Sequence, residues 1–235
     1  MIINKIIRLL WPEVCPFCGK VSREGICLAC REKINHLVIR HPKCMKCGKP
    51  VRKNEQEYCY DCTHTHHHYD KGVALWLHKP PVSTSVYQFK YHNHRTFGKY
   101  YVEEILKVYG GILRKWKIDI IIPIPLHPRR RRKRGYNQAA IVAEGIGENL
   151  NIPVDEKCVK RIRYTVPQKK MDHSSRRRNL KGAFRVTASF RPVKTVLLVD
   201  DIYTTGNTID EISLILRRAG VEKIYFLTIS IGEGD

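Results

Sequence analysis

The chain has 235 residues, of which 43% are hydrophobic, and its 43 Lys and Arg against 22 Asp and Glu give a formal net charge of +21. This length and apolar content suit one ordinary domain with a small additional module, and they argue against a globally disordered chain. The excess of cations favours polyanionic partners, namely nucleic acid, phosphorylated metabolites or an anionic membrane, but it carries no information about the fold.

The first eleven residues form an amphipathic segment. Ile2, Ile6, Leu9 and Leu10 fall on one helical face, which predicts a docking helix, with a helix on the membrane surface as the alternative. The segment is too short and too charged to span a bilayer, and no export-signal cleavage site follows it. We therefore expect a cytoplasmic protein with at most peripheral contact at the inner face of the membrane, where thiols stay reduced.

Eight of the nine cysteines form four CxxC pairs. One CxxC turn brings two thiolates close enough to share a tetrahedral ion, and two such turns complete its coordination shell. Paired cysteines in a reducing compartment indicate metal rather than disulfides. The sequence predicts two structural zinc ions, bound by Cys15, Cys18, Cys27, Cys30, Cys44, Cys47, Cys59 and Cys62.

The spacing leaves the pairing of the four CxxC units open. Adjacent pairing gives two compact ribbons, whereas joining Cys15 and Cys18 to Cys44 and Cys47 requires longer crossing connections.

Four histidines follow the last pair and could replace a cysteine or bind a further metal, but with both shells filled we expect a solvated linker. These histidines are His64, His66, His67 and His68. Cys158 is isolated, and we expect an ordinary packed residue there.

Two parts of the chain follow different patterns. Residues 1–70 are rich in cysteine, whereas residues 71–235 alternate apolar strands with helical periods, as is typical of a parallel α/β sheet. We therefore expect an N-terminal helix and zinc-ribbon module over residues 1–70 and an α/β domain over residues 71–235. The clearest predicted strands and helices are residues 118–124, 195–199 and 224–230, and residues 137–150 and 208–219.

The segment after the second predicted strand combines carboxylates, hydroxyls and a glycine. Asp200 and Asp201 follow this strand, at the end where open α/β sheets bind ligands. The loop then opens a helix whose N-terminal N–H groups suit a phosphate, and Gly206 lets the backbone close on that ligand. Two acids beside such a cradle suit the vicinal hydroxyls of a sugar, directly or through Mg²⁺. The alternative is an acidic turn with Thr208 as a helix cap.

This segment resembles the signature with which type I phosphoribosyltransferases bind phosphoribosyl pyrophosphate, acid-acid-x-x-Thr-Thr-Gly-x-Thr. The resemblance implies that Asp200 and Asp201 contact the ribose hydroxyls. It also implies that the 5′-phosphate is held by Thr204, Thr205, Gly206, Asn207 and Thr208.

Further motifs make nearly the whole chain similar to the ComF family of competence-associated proteins. These motifs are residues 119–128, 134–138, 165–168, 176–179 and 183–184, together with the leading cysteine pairs. The resemblance implies a parallel sheet like that of type I phosphoribosyltransferases, flanked by helices and preceded by a double zinc ribbon. Met171 stands where relatives usually carry leucine, which is a mild change.

The resemblance also assigns the loop after the first core strand. In such folds this loop receives pyrophosphate, and here it corresponds to Pro123, Ile124, Pro125, Leu126 and His127. A mobile segment over the site would correspond to parts of residues 134–138 and 168–179.

Six consecutive cations follow this loop: Arg129, Arg130, Arg131, Arg132, Lys133 and Arg134. A charge run is usually a solvated loop, but repulsion between adjacent cations favours a polyanion nearby, and a second cluster lies at residues 176–178. We interpret the run as a DNA-binding segment, with one or two aromatic side chains stacking on the bases of a single strand. The aromatic candidates are Tyr87, Phe89, Tyr91, Phe97, Tyr100, Tyr101 and Tyr136.

Charge and resemblance together favour a protein of natural transformation. It would bind single-stranded DNA, and phosphoribosyl pyrophosphate with Mg²⁺, on the cytosolic side. The alternative is an active phosphoribosyltransferase, a pentosyltransferase acting on a nucleobase or another acceptor. No base-specificity segment stands out near the C terminus, which favours DNA handling. A third interpretation, implied by the resemblance, makes the zinc module an adaptor for a competence helicase or translocase.

Overall fold

The computed structural model describes residues 13–164 and 180–233. The amphipathic N-terminal segment, the motif at residues 165–168, Met171 and the arginines at residues 176–178 lie outside these ranges, as does the second part of the expected mobile segment. Within the two described ranges, no helix combines the length and the apolar character that a membrane crossing requires.

A four-stranded parallel sheet forms the centre of the α/β part. Its strands in spatial order are β1 (Lys71–Leu77), β6 (Lys223–Ile231), β5 (Thr195–Tyr203) and β2 (Ile120–Pro123). Near-continuous apolar runs suit these strands because both faces of the sheet are covered. The three predicted strands are confirmed, β5 continues four residues further than predicted, and β1 was not among the predicted strands.

Seven helices and a small strand pair complete the described part of the chain. The helices are α1 (Leu28–Asn35), α2 (Tyr60–His64), α3 (Val82–Tyr91), α4 (Phe97–Lys115), α5 (Pro128–Arg134), α6 (Gln138–Leu150) and α7 (Asn207–Arg218). The pair is antiparallel and consists of β3 (Val159–Arg161) and β4 (Phe184–Val186). The two predicted helices correspond to α6 and α7, with ends that agree within one residue.

Helices cover both faces of the sheet because successive side chains of a strand point to opposite sides. On one face, Leu197 and Val199 of β5 share a buried apolar cluster with Ile146 of α6. On the other face, Leu198 shares a cluster with Ile212 of α7. The expected architecture, a parallel sheet flanked by helices, is thereby confirmed.

The cysteine-rich part covers the outer edge of β1. The backbone N–H of Ile39 donates to the carbonyl of Leu75 (3.0 Å), and that of Leu77 donates to the carbonyl of Leu37 (2.8 Å). The segment around Val38 therefore runs antiparallel beside β1. An uncovered edge strand can pair with another chain. This contact therefore protects β1 from such pairing and also joins the cysteine-rich part to the α/β part. The domain boundary at residue 70 stays a prediction.

Candidate functional site

The eight paired cysteines gather into two clusters of four. Within each cluster the four Sγ atoms lie within 4.8 Å of one another. The first cluster contains Cys15, Cys18, Cys27 and Cys30, and the second contains Cys44, Cys47, Cys59 and Cys62. Adjacent CxxC units therefore combine, and the interleaved alternative is wrong.

The sulfur geometry of both clusters suits zinc. Zn–S bonds of about 2.3 Å in a tetrahedron place the sulfurs about 3.8 Å apart. The Sγ atoms of Cys18 and Cys27 are 3.7 Å apart, and those of Cys47 and Cys59 are 3.6 Å apart. Four thiolates with no other donor form a closed structural shell. The chain thus has two structural zinc sites, as the sequence predicts.

The first CxxC turn of each site has the same backbone geometry. The N–H of Gly19 donates to the carbonyl of Cys15 (2.9 Å), and the N–H of Gly48 donates to that of Cys44 (3.0 Å). Both glycines have positive φ, at 73° and 79°, where a side chain is strained. The second CxxC unit of each site opens a short helix, α1 or α2.

The histidine stretch packs against and hydrogen-bonds to the α/β part. The predicted solvated linker is therefore wrong for His67 and His68. His67 is 4% exposed, and its ring stacks on Tyr69 with centroids 4.9 Å apart. The backbone N–H of His68 donates to a carboxylate oxygen of Asp210 (2.6 Å), and Arg217 donates to the carbonyl of His68 (3.1 Å). The other two histidines are exposed, and none of the four joins a cysteine cluster.

The predicted phosphate loop connects β5 to α7. Gly206 occupies the helix N-cap with a φ of 75°, and a Cβ added there would lie 2.4 Å from the hydroxyl oxygen of Tyr203. The alternative of a helix capped by Thr208 is therefore wrong. The hydroxyl of Thr205 is buried and has no hydrogen-bond partner in the described part of the chain. That hydroxyl and the N–H groups of the first turn of α7 can serve an anion.

The two adjacent acids lie in the last part of β5 and differ in their surroundings. The ammonium group of Lys90 on α3 lies 2.8 Å from a carboxylate oxygen of Asp201. The backbone N–H of Asp201 donates to a side-chain oxygen of Asp200 (2.8 Å). Burial, followed by the neighbouring charge of Asp201, raises the pKa of Asp200 to about 7. A carboxyl group with a raised pKa at this edge of a parallel sheet is a candidate for ligand binding.

The predicted pyrophosphate loop lies beside these acids. Pro123 pairs with Val199, and the N–H of Ile124 donates to the carbonyl of Val199 (2.8 Å). The structure therefore brings both predicted loops to one edge of the sheet. The first two residues of the loop are buried, so only Pro125, Leu126 and His127 are partly exposed to a ligand.

These three residues line one wall of a cleft of about 790 Å³. Arg161 of β3 also lines this cleft. No sequence motif marks it, because it is an isolated arginine in a short strand. Burial and the nearby guanidinium of Arg130 lower the pKa of Arg161 to about 10, while Asp200 acts in the opposite direction. The group remains cationic at neutral pH, so the cleft suits an anion.

The run of six cations forms helix α5 and not the solvated loop that a charge run usually forms. Pro128 occupies the first turn, the imidazole of His127 accepts from the N–H of Arg129 (3.2 Å), and Gly135 ends the helix with a φ of 79°. Partial burial and the surrounding arginines lower the pKa of His127, which keeps its ring neutral and able to accept. Of the six cations, the exposed ones are Arg129, Arg131, Arg132 and Lys133, whereas Arg130 and Arg134 are half-buried.

The fold is that of a zinc-ribbon α/β protein: two closed four-thiolate sites adjoin a parallel sheet that carries two acids and the predicted phosphate loop at its carboxyl edge. Residues 6–63 match the family model described as a double zinc ribbon domain. Competence protein F of Haemophilus influenzae is 32% identical over 209 residues, which cover 87% of this chain and 89% of that protein. The chain belongs to the competence protein F family, as its motifs indicate.

Other relatives agree in length. DNA utilization protein YhgH of Salmonella typhimurium is 28% identical over 219 residues, covering 91% of this chain and 94% of that one. Competence protein ComFC of Streptococcus pneumoniae is 27% identical over 224 residues, covering 89% and 96% respectively. Among solved structures, a purine phosphoribosyltransferase from Pyrococcus horikoshii Ot3 matches 56% of this chain and 85% of its own, with 19% identity. The TM-score of this match is 0.32.

Proposed function

We propose that this protein acts in natural transformation, where it binds phosphoribosyl pyrophosphate and single-stranded DNA on the cytosolic side. One observation carries the proposal: the paired acids of β5, the buried hydroxyl of Thr205 and the positive-φ Gly206 meet at the N terminus of α7. The names of the relatives, which refer to competence and DNA utilization, support a role in handling DNA.

In the proposed complex the acids and the loop hold different parts of the ligand. Asp200 and Asp201 accept hydrogen bonds from the two ribose hydroxyls. The 5′-phosphate accepts from the N–H groups that begin α7 and from the hydroxyl of Thr205. Mg²⁺ accompanies the ligand, and the carboxylate oxygens at this edge are donors of the kind that it prefers.

The pyrophosphate group is proposed to lie between residues 125–127 and Arg161. This placement is supported by the common edge of the two loops and by the charge of the cleft. A guanidinium with several donors in a fixed plane suits the phosphate oxygens.

A second candidate function is transfer of the phosphoribosyl group to a nucleobase or another acceptor. The volume of the cleft, about 790 Å³, favours it, because this space exceeds what pyrophosphate alone needs. In that reaction the bond from the sugar C1 to pyrophosphate breaks, and a new bond forms from C1 to the acceptor. Positioning and charge stabilisation of the departing pyrophosphate would supply the catalysis.

Two partner proposals follow from the exposed surface. The net charge of +21 and the exposed cations of α5 support contact with DNA phosphates. The zinc ribbons expose Leu28, Met45 and Tyr60 at 69%, 53% and 63%, which supports their proposed role as the contact with a helicase or translocase.

Calorimetry tests the proposed function directly. Phosphoribosyl pyrophosphate with Mg²⁺ is titrated into the parent chain and into a variant that carries both Asp200→Ala and Asp201→Ala. We expect heat of binding from the parent and none from the double variant, whose fold is checked by circular dichroism. Glu148→Ala, which removes an exposed acid of α6, is the control and should bind like the parent. Equal binding by the double variant would show that the loop is assigned wrongly.

The same titration with single-stranded DNA present distinguishes the two ligands. Unchanged affinity for phosphoribosyl pyrophosphate is expected if the ligands occupy separate surfaces, and mutual competition if they share the basic surface of α5. Release of pyrophosphate in the presence of a nucleobase would instead support the second candidate function.

A further inference from the structure

Exposed tyrosines face the arginines of α5. Tyr91 of α3 is 49% exposed, and the guanidinium carbon of Arg134 lies 4.9 Å from the centroid of its ring. Arg134 also donates to the hydroxyl of Tyr91 (3.1 Å). Tyr87, one turn earlier on α3 and 50% exposed, has its ring centroid 4.9 Å from that of Tyr91.

A second tyrosine–arginine contact lies at the other end of the same helix face. The guanidinium carbons of Arg129 and Arg130 lie 5.6 Å and 5.7 Å from the ring centroid of Tyr164. His127 packs edge-on against the same ring at 5.2 Å. Tyr164 nevertheless remains 47% exposed.

The two contacts form a continuous row. Arg130 and Arg134 are four residues apart on α5, so their side chains share one face and start about 6 Å apart. One of them reaches Tyr164 and the other reaches Tyr91. We call this surface the tyrosine–arginine row; its members are Tyr87, Tyr91, Arg134, Arg130 and Tyr164.

The row lies beside the phosphate loop. Lys90, the neighbour of Tyr91 in the chain, forms an ion pair with Asp201 (2.8 Å). The charges of Arg130 and Arg134 both lower the pKa of Arg161 in the cleft. A single exposed tyrosine is ordinary on a protein surface. Here each of three exposed rings is held in place, by a guanidinium or by the next tyrosine, while about half of its surface stays accessible.

This chemistry matches a single strand of nucleic acid. Bases stack on aromatic rings and on guanidinium planes whatever their sequence, while the charges of arginine meet the phosphates. A duplex hides the faces of its bases, so it cannot use the rings. Tyrosine and arginine are also enriched in protein–protein interfaces, but the net charge of +21 favours a polyanion over a protein partner.

We propose that the tyrosine–arginine row is a base-stacking site for single-stranded DNA, an inference that rests on the proposed binding of DNA. The rings supply affinity through the bases, and the exposed cations of α5 supply it through the phosphates. The two contributions respond differently to salt, because only phosphate contacts release counterions.

The site is tested by fluorescence anisotropy with end-labelled oligo(dT) of about 20 nucleotides. This length exceeds the ~4–16 nucleotides that one OB fold covers. Tyr91→Leu and Tyr164→Leu remove the aromatic face but keep apolar bulk, and each should weaken binding about 10-fold. Tyr91→Phe and Tyr164→Phe keep the face and should bind within about twofold of the parent. The control is Tyr58→Leu, a change at a tyrosine that is 45% exposed on the zinc ribbon.

An abasic oligonucleotide of the same length separates stacking from charge. The leucine variants should bind it as the parent does, and their salt dependence on oligo(dT) should keep the parent's slope. Leucine variants that bind oligo(dT) like the parent would overturn the stacking site while leaving DNA binding intact. A parent chain that binds neither oligonucleotide would overturn the proposed DNA function itself, and with it the site.

Discussion

The hydroxyl groups of Tyr203 and Tyr69 lie 2.8 Å apart in the interior, where both residues are 1% exposed. Tyr203 is the last residue of β5 and lies directly before the predicted phosphate loop. The ring of Tyr69 lies 5.3 Å from the ammonium group of Lys46, which stands between two ligands of the second zinc site. The tyrosine pair therefore connects the second zinc site to the phosphate loop.

Tyr203→Phe should weaken the phosphate loop without removing zinc. The change leaves the buried hydroxyl of Tyr69 without this partner, which should lower the free energy of unfolding by about 1 kcal/mol. Because Gly206 packs against the hydroxyl of Tyr203, the affinity for phosphoribosyl pyrophosphate should also fall. Denaturant unfolding, calorimetry and zinc analysis measure the three quantities. Unchanged affinity at reduced stability would show that the tyrosine pair does not position the loop.

Two zinc ions per chain are expected in protein purified without chelator. Cys18→Ser and Cys62→Ser each break one closed shell and should each lower the zinc content by about one ion. Cys158→Ser is the matched control, since Cys158 is buried away from both clusters and burial raises the pKa of its thiol to about 12. Elemental analysis decides the point, and a parent content near zero would contradict both sites.

Gly206→Ala should destabilise the loop more than an ordinary glycine substitution. The positive φ disfavours any side chain, and the new Cβ would lie 2.4 Å from the hydroxyl oxygen of Tyr203. We expect a loss of about 1–3 kcal/mol in unfolding free energy together with weaker ligand binding. Gly111→Ala is the control: it lies in α4 with nothing within 4 Å of the added Cβ, and should be neutral or stabilise by about 0.5–1 kcal/mol. Equal effects of the two substitutions would contradict the strain argument.

Asp200 should make ligand binding and stability depend on pH in opposite directions. Its pKa rises from the ordinary 3.8 to about 7, so the carboxyl loses its proton between pH 6 and 8, and affinity for phosphoribosyl pyrophosphate should increase by up to about 10-fold over that range. The folded chain holds this proton more tightly than the unfolded chain. The contribution of Asp200 to the free energy of unfolding is therefore fully present below about pH 4 and is lost as the pH rises through 7.

Asp200→Asn removes that loss. At pH 8 the free energy of unfolding of the variant should exceed that of the parent by about 1–2 kcal/mol, after allowance for partial exposure of the site. Its affinity for phosphoribosyl pyrophosphate should fall at every pH. Thermal unfolding and calorimetry at pH 6 and pH 8 provide the comparison. Greater stability of the parent at pH 8 would show that Asp200 ionises without cost in the fold.

The exposed cations of α5 should set the salt dependence of DNA binding. Each lost phosphate contact lowers the slope of log affinity against log salt by about 0.7 for single strands, so replacing Arg129, Arg131 and Arg132 by serine should flatten it by about two units. Stability should change by no more than ~0.5 kcal/mol for each substitution. Serine at Arg23, Arg52 and Lys53, three exposed cations of the zinc ribbon, is the charge-matched control. An unchanged slope with lost affinity for phosphoribosyl pyrophosphate would mean that α5 serves pyrophosphate instead.

The arginine run shows that the signals for a helix lie in the sequence. A charge run is usually a solvated loop, yet Pro128 at the start and Gly135 in a left-handed conformation at the end mark the two ends of a helix. Arginine also has high helix propensity. The helix also reduces the repulsion between neighbouring cations, because consecutive side chains do not face each other around it.

The sequence by itself determined the zinc donors and the position of the loop between β5 and α7, because both are local. A CxxC turn fixes two thiolates within four residues, and the acids, Gly206 and the start of α7 follow one another along the chain. Only the tertiary structure decided which CxxC units combine, that Arg161 shares a cleft with residues 125–127, and that Tyr91 and Tyr164 contact arginines of α5. These relationships join residues far apart in the chain, so they depend on how β-strands and helices pack, and a one-dimensional pattern does not carry that information.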